Sequence, residues 1–137
     1  MPDARNKVVL LVEDDPDHAM LAGRTFKRAG LPAPVVFDGP EALAYLGGEG
    51  EFADRATHPV PQLVISDMHA GLISARDLLK FVRSHPELSG LPVAVLSGSS
   101  NPRDEADTKE LGAVAFLQKP LTTDALVGLL RSVGLGE

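Results

Sequence analysis

The run Val8-Val9-Leu10-Leu11-Val12-Glu13-Asp14-Asp15-Pro16 decides the fold of this chain. An unbroken series of Val and Leu stops abruptly at three carboxylates and a proline. So short and continuous an apolar stretch reads as a strand covered on both faces, because a strand with one wet face alternates apolar and polar residues. Asp15-Pro16 reads as a helix start. The Asp side chain accepts from the first free N–H groups, and Pro at the first helical position lacks a donor that would have no partner there. A buried strand that runs straight into a helix is the opening of a parallel βαβ arrangement.

Working outward, the same signature returns. Gln62–Ser66 and Pro92–Ser97 are apolar runs of the same kind, and Pro34–Phe37 and Ala113–Leu117 are shorter ones, which makes five candidate strands. Helical spacing lies between them. Pro16–Ala29 puts Ala19, Ala22, Phe26 and Ala29 on one side and ends at Gly30. Pro40–Leu46 turns Ala42, Leu43 and Leu46 inward and stops at Gly47-Gly48. Ala75–Ser84 turns Leu78, Leu79 and Val82 inward and ends at His85-Pro86. Arg103–Leu111 is weaker and ends at Gly112, and a last helix starts at the cap Thr122 or Thr123 and uses Leu126, Leu129, Leu130 and Val133. Gly48–Pro61 has no period, and so long an irregular stretch is expected to carry a role or some mobility. Strands alternating with helices predict an α/β fold: a five-stranded, doubly wound parallel sheet with right-handed crossovers. Functional groups in such a sheet gather at the carboxyl ends of the strands.

Composition sets the outer limits. The chain has 137 residues, enough for one core without staples, with 44% hydrophobic and 23% charged residues. It has no cysteine, which excludes disulfides, thiolate metal sites and cysteine nucleophiles. The net charge is −6 and aromatics make up 4%, so neither a basic patch nor stacking platforms for nucleic acid are expected. No apolar run approaches the roughly 20 residues of a membrane span, and the polar Met1–Lys7 is no signal core. A cytoplasmic protein without membrane contact is expected.

The carboxyl ends of the candidate strands carry Glu13-Asp14-Asp15, Asp67, Ser97-Gly98-Ser99 and Gln118-Lys119-Pro120. Each piece alone has an ordinary explanation. Acidic residues before a helix cap it and complement its dipole, and a lone Asp after a strand is commonly a turn residue. Together they read differently. Like charges about 4 Å apart repel by about 4 kcal/mol at an effective dielectric near 20, so crowded carboxylates need positive charge. Lys119 supplies some, and a divalent ion would supply more. Few carboxylates with room for water suit Mg²⁺, which shares its remaining positions with phosphate. An Asp beside Mg²⁺, a Lys and a small hydroxyl is a workable phosphoryl acceptor.

These motifs resemble, in order and spacing, the receiver domain of two-component response regulators. The resemblance rests on Leu10–Asp15, Leu63–Asp67, Val93–Gly98 and Phe116–Pro120 and spans about Lys7 to Leu130, which places a single receiver domain over residues 7–133. It implies that Asp67 is the phosphoacceptor, that catalysis uses Asp67, Lys119 and Ser97, and that Mg²⁺ is held by Glu13, Asp14, Asp67 and the backbone carbonyl of His69. It further implies that Ser97 and Phe116 are the switch pair and that Lys119-Pro120 is cis. Phosphorylation in this family shifts a population of states and alters the surface of the fourth helix, fifth strand and fifth helix. The chain would be no enzyme beyond its own phosphorylation and dephosphorylation.

Departures follow the acceptor. The family's usual Pro is Gly71 here, and Ser74-Ala75 replaces Asp-Gly, which leaves the loop geometry and phosphoryl lifetime open. His69 reads as a loop residue beside the site, since His18, His58, His69 and His85 have no metal-ligand spacing. The chain ends at Glu137, which leaves no room for an output domain on this reading. The segment Gly48–Pro61 resembles that of small receivers paired with bacterial phytochrome-type histidine kinases, which implies such a kinase as partner and a homodimer through the fifth-helix region. Leu121, Ala125, Leu126, Val127, Leu129, Leu130, Val133 and Leu135 are more apolar residues than one core is expected to take, and the surplus would suit that dimer. The alternative function is a phosphorylation-independent docking or dimerisation module. A phosphohydrolase of the aspartyl-phosphate type would commonly place an acid/base Asp two residues after the nucleophile, where His69 stands.

Overall fold

The computed structural model describes residues 8–99 and 101–135. The sheet is parallel throughout, in the order β2-β1-β3-β6-β7. These strands are β1 (Val9–Val12), β2 (Val35–Phe37), β3 (Leu63–Asp67), β6 (Val93–Ser97) and β7 (Ala115–Gln118). A small antiparallel hairpin of β4 (His69–Ala70) and β5 (Ile73–Ser74) stands apart from it. The helices are α1 (Pro16–Arg28), α2 (Gly39–Gly47), α3 (Ala75–Ser84), α4 (Pro102–Glu110) and α5 (Thr123–Ser132). Strand order reverses beside β1, so the carboxyl ends of β1 and β3 flank the switch point.

The unbroken apolar runs serve two cores at once. Leu10, Val12, Val64, Val93 and Val95 face one core with Ala42 and Leu46 of α2 and Leu78, Leu79 and Val82 of α3. Val9, Leu11, Leu63, Ile65, Ala94 and Leu96 face the other with Ala22 and Phe26 of α1 and Leu126, Leu129 and Leu130 of α5. Burying each Leu, Ile, Val or Phe contributes about 1.5–3 kcal/mol relative to leaving it in water, so a polar residue at any of these strand positions would cost one core or the other.

Element ends moved by one or two residues from the sequence reading. β7 begins at Ala115 rather than Ala113, and β3 includes Asp67 as its last residue. Ala19 of α1 and Ala29 at its C-cap are half-buried, and Thr25 is buried in their place. The Thr25 hydroxyl donates to Leu121 O at 2.8 Å and so ties α1 to the chain entering α5. α4 buries only Thr108; Arg76 of α3 holds it, donating to Asp104 Oδ1 at 2.7 Å and Asp107 Oδ2 at 2.9 Å.

The apolar surplus expected on the last helix is small: of that set only Val127, partly exposed, lies outside the core. Leu121, Leu126, Leu129 and Leu130 are buried, and Ala125, Val133 and Leu135 pack against the same core. Chain on both sides of α5 folds onto the sheet as well, so one core takes nearly the whole set.

Gly48–Pro61 is irregular but ordered by its own contacts. A single 3₁₀ turn, Gly50–Ala53, sets Phe52 against Phe37 and Tyr45, with ring centroids 5.5 and 5.2 Å away. His58 meets Phe52 edge-on, and Tyr45 donates its hydroxyl proton to Pro59 O at 2.6 Å. Arg55 donates to Tyr45 O at 2.8 Å, which also accepts from Gly48 N–H, and to Leu46 O at 2.9 Å, both in the last turn of α2 where helical donors run out. Charge-assisted bonds of this kind contribute about 1.5–3 kcal/mol, so Arg55→Ala should lower the unfolding free energy by about 1–3 kcal/mol. Urea titration should show an earlier midpoint with an unchanged slope; an unmoved midpoint would mean that solvent serves these carbonyls equally well.

Candidate functional site

Four strand ends build the site. Glu13 follows β1, and its N–H donates to Phe37 O at 3.0 Å, which continues the ladder by one residue. This draws its carboxylate inward, where it is buried. Glu13 Oε1 accepts from Asp15 N–H at 3.1 Å, and Asp15 caps α1 by accepting from Asp17 N–H and His18 N–H. Asp67 closes β3 in register with Leu96 of β6 and is half-buried. Lys119 leaves β7 with its N–H on Ser97 O at 2.8 Å, and the Lys119-Pro120 peptide is cis.

These approaches bring the charges together. Lys119 Nζ lies 2.7 Å from Glu13 Oε2 and 3.3 Å from Asp67 Oδ1. Carboxylate oxygens of Glu13, Asp14 and Asp67 lie within 4.8 Å of one another. With one ammonium among three carboxylates, the cluster has an excess of negative charge. Burial and then the neighbouring Glu13 push the Asp67 carboxyl above its ordinary value, against the opposing pull of Lys119 and the His69 backbone N–H. Clustered hard oxygen donors with surplus negative charge, one buried and one exposed, fit a divalent cation of the Mg²⁺ or Mn²⁺ type.

The departures after Asp67 resolve into a compact hairpin. Gly71 has φ +72° and Leu72 does not have a positive φ, the pattern of a type II′ turn with Gly at its first position. This turn does without the family's proline. Ser74 accepts from Asp77 N–H, and the Asp77 side chain reaches back to Ser74 N–H, so a capping box starts α3 where Asp-Gly was expected. Ala75 N–H donates to Met68 O at 2.9 Å and closes the loop. His69 is exposed on β4, as a residue beside the site.

Ser97 is buried at the end of β6, and its hydroxyl accepts from Ser99 N–H at 3.1 Å. Phe116 lies opposite Val95 on β7 and packs, half-buried, on the core that holds α2 and α3. The structure therefore gathers Glu13, Asp14, Asp67 and Lys119 in one cluster, with Ser97 at the neighbouring strand end and Phe116 on the adjoining face. Sequence reasoning missed His18, whose Nδ1 lies 2.9 Å from Lys119 Nζ. The available signal was its position in the first turn after the Asp15 cap, which faces the same edge as the strand ends.

Comparison with known proteins agrees with this geometry. Response regulator Rcp1 of Synechocystis is 28% identical over 137 residues, covering 97% of this chain and 91% of that protein. Its Mn²⁺-bound crystal structure superposes with a TM-score of 0.73 over 93% of this chain and 91% of that one, at 28% identity. The phosphorylated cyanobacterial phytochrome response regulator RcpA gives a TM-score of 0.75 at 29% identity, covering 93% and 90%. The bacteriophytochrome response regulator RtBRR gives 0.81 at 31% identity, covering 93% of this chain and 78% of that one. The fold is thus shared with regulators of phytochrome systems, and the family model for the response regulator receiver domain matches residues 9–131. On that match and this architecture, the chain belongs to the response regulator receiver domain family.

Proposed function

We propose that this chain is a phosphoryl-accepting switch: Asp67 takes a phosphoryl group from a histidine kinase in a Mg²⁺-dependent step, and the partner-binding surface changes in response. The observation that carries the reading is Lys119 Nζ set between Glu13 Oε2 and Asp67 Oδ1 inside an acidic cluster. A phosphorylated relative of the same fold supports it.

In the step itself an oxygen of the Asp67 carboxylate forms a bond to phosphorus as the N–P bond of the kinase phosphohistidine breaks. The electron pair of that bond stays on the imidazole nitrogen. Lys119 offsets charge on the phosphoryl oxygens and releases Asp67 from its ion pair as it does so. Ser97 turns its hydroxyl proton toward the phosphoryl group, and Phe116 packs inward with it. Glu13, Asp14, Asp67 and the His69 carbonyl would hold the metal, which supplies positive charge to the phosphoryl oxygens when bound.

The partner is proposed to be a phytochrome-type histidine kinase, given the similarity to phytochrome regulators. The homodimer through the α5 region rests on the same similarity, because all of the apolar set that also suggested it except Val127 is spent on the core. We take residues 7–133 as one receiver domain acting in the cytoplasm. Among the described residues no helix is long and apolar enough to cross a membrane.

Incubation with Mg²⁺ and acetyl phosphate should add about 80 Da, one phosphoryl group, to the wild type. Asp67→Asn and chelator should each abolish the gain in intact mass. No gain in a folded wild type would overturn the reading in favour of a docking module that does not use phosphorylation.

The raised Asp67 carboxyl gives a second expectation. A carboxyl that holds its proton more tightly folded than unfolded costs stability when it ionises. The cost begins as pH rises through the ordinary value of 3.8 and is complete above the raised one. In chelator at pH 7 (about neutral), Asp67→Asn should therefore melt above the wild type. The gap should narrow as the pH falls toward 3.8, and added Mg²⁺ should raise the wild type more than the variant. An Asn variant that melts below the wild type at neutral pH in chelator would show that Lys119 outweighs burial at Asp67.

A further inference from the structure

We propose that His18 is a positioning residue for the phosphoryl step: its Nδ1 takes one N–H of the Lys119 ammonium and thereby fixes the rotation that leaves another N–H on Asp67. The inference rests on the reading of Asp67 as phosphoryl acceptor.

An ammonium has three donors and no acceptor. Those of Lys119 meet Glu13 Oε2 at 2.7 Å, His18 Nδ1 at 2.9 Å and Asp67 Oδ1 at 3.3 Å. Since Nζ only donates, Nδ1 accepts, and the neutral ring carries its proton on Nε2. That nitrogen faces Asp15 Oδ2 at 3.7 Å, so the carboxylate favours the same tautomer. Asp15 in turn is fixed as the α1 cap, accepting from Asp17 N–H at 2.9 Å. The ring thus lies between the helix start, which it meets in a charge contact too long for a hydrogen bond, and the lysine that donates to it.

The Lys119 side chain is only 14% exposed, and among the described residues the cavity on its α1 flank is lined by polar side chains only from Glu13, His18 and Lys119 itself. There the ammonium borders a cavity of about 320 Å³ whose other walls include Leu11, Leu21, Ala22, Leu96 and Pro120. Without the imidazole, the third N–H would face this apolar space without an acceptor, and the ammonium could swing on its short Glu13 bond away from the longer Asp67 contact. A neutral acceptor suits the place. A fourth carboxylate would draw Lys119 from Asp67 and raise the negative charge that an incoming phosphoryl group must meet, whereas imidazole fixes direction without adding charge.

Two measurements test this. Ring ¹⁵N shifts of His18 in the unphosphorylated protein should report the Nε2–H tautomer with Nδ1 as acceptor, and Lys119→Met should shift the Nδ1 resonance. Separately, His18→Leu should slow acetyl-phosphate modification of Asp67 by about tenfold, and His18→Asn, whose amide falls near the position of Nδ1, should return it to within about twofold of wild type. Melting temperatures will show whether both variants fold alike. Equal rates in the Leu variant and the wild type, equal slowing by Leu and Asn, or an Nδ1–H tautomer would each overturn the proposal. If the wild type takes no phosphoryl group, the parent reading fails, and the ring shifts alone decide whether His18 holds Lys119.

Discussion

A buried carboxylate must have a positive partner, and at the centre of this structure Glu13 finds one in Lys119. The two are 106 positions apart in sequence and 2.7 Å apart in space. Taking either charge out of water is costly, and a buried pair stripped of one member leaves the other uncompensated. The pair therefore forms only if β1 and β7 arrive with their carboxyl ends on one edge, with β3 and β6 correctly registered between them. Asp67 Oδ1, 3.3 Å from the same ammonium, inherits its place from that arrangement. The charge cluster is as much a condition on the fold as a product of it.

The sheet meets that condition by a simple device. Because side chains alternate across a strand, an apolar run feeds two cores, and a slip of one residue would exchange the two sets wholesale. Leu10 and Val12 share one side with Val64, Val93 and Val95, while Leu11 shares the other with Ile65 and Leu96. Both sets are sized for their helices, so register is specified twice over. Polar residues begin where the strands leave the cores, which is why the ends of β1, β3, β6 and β7 carry the chemistry.

That much was legible in the sequence, since continuous apolarity, helix caps and polar strand ends are local signals. Asp15, Thr122 and the inward Leu78, Leu79 and Val82 fell where their spacing placed them. What stayed hidden depends on partners far along the chain. Gly48–Pro61 showed no period because its order comes from Phe52 and His58 meeting Phe37 and Tyr45, and from Arg55 meeting carbonyls in the last turn of α2. Thr25 looked polar in an apolar helix because its acceptor, Leu121 O, lies 96 positions away. The apolar count near α5 overshot for a related reason: residues beyond the helix fold back onto the sheet, which a helical projection alone does not show. At the site, Glu13, Asp14, Asp67 and Lys119 were readable as strand ends, while His18 on α1 gains its meaning only from a lysine just past the end of β7.

The two kinds of bonding are not spread evenly. α1, α2, α3 and α5 are anchored by large apolar side chains, whereas α4 buries Thr108 alone and is held through Arg76 to Asp104 and Asp107. Arg76 follows Ala75, whose N–H closes the loop behind Asp67 on Met68 O. Apolar anchors are indifferent to charge at the site; a partly exposed ion-pair clamp is sensitive to neighbouring charge and to salt. Elements with few buried apolar contacts also open at lower cost than those seated in a core. The part of the surface tied to the loop after Asp67 by charged groups is thus the part least fixed by the hydrophobic effect, which is where a change of charge at Asp67 would have the smallest opposing free energy to overcome.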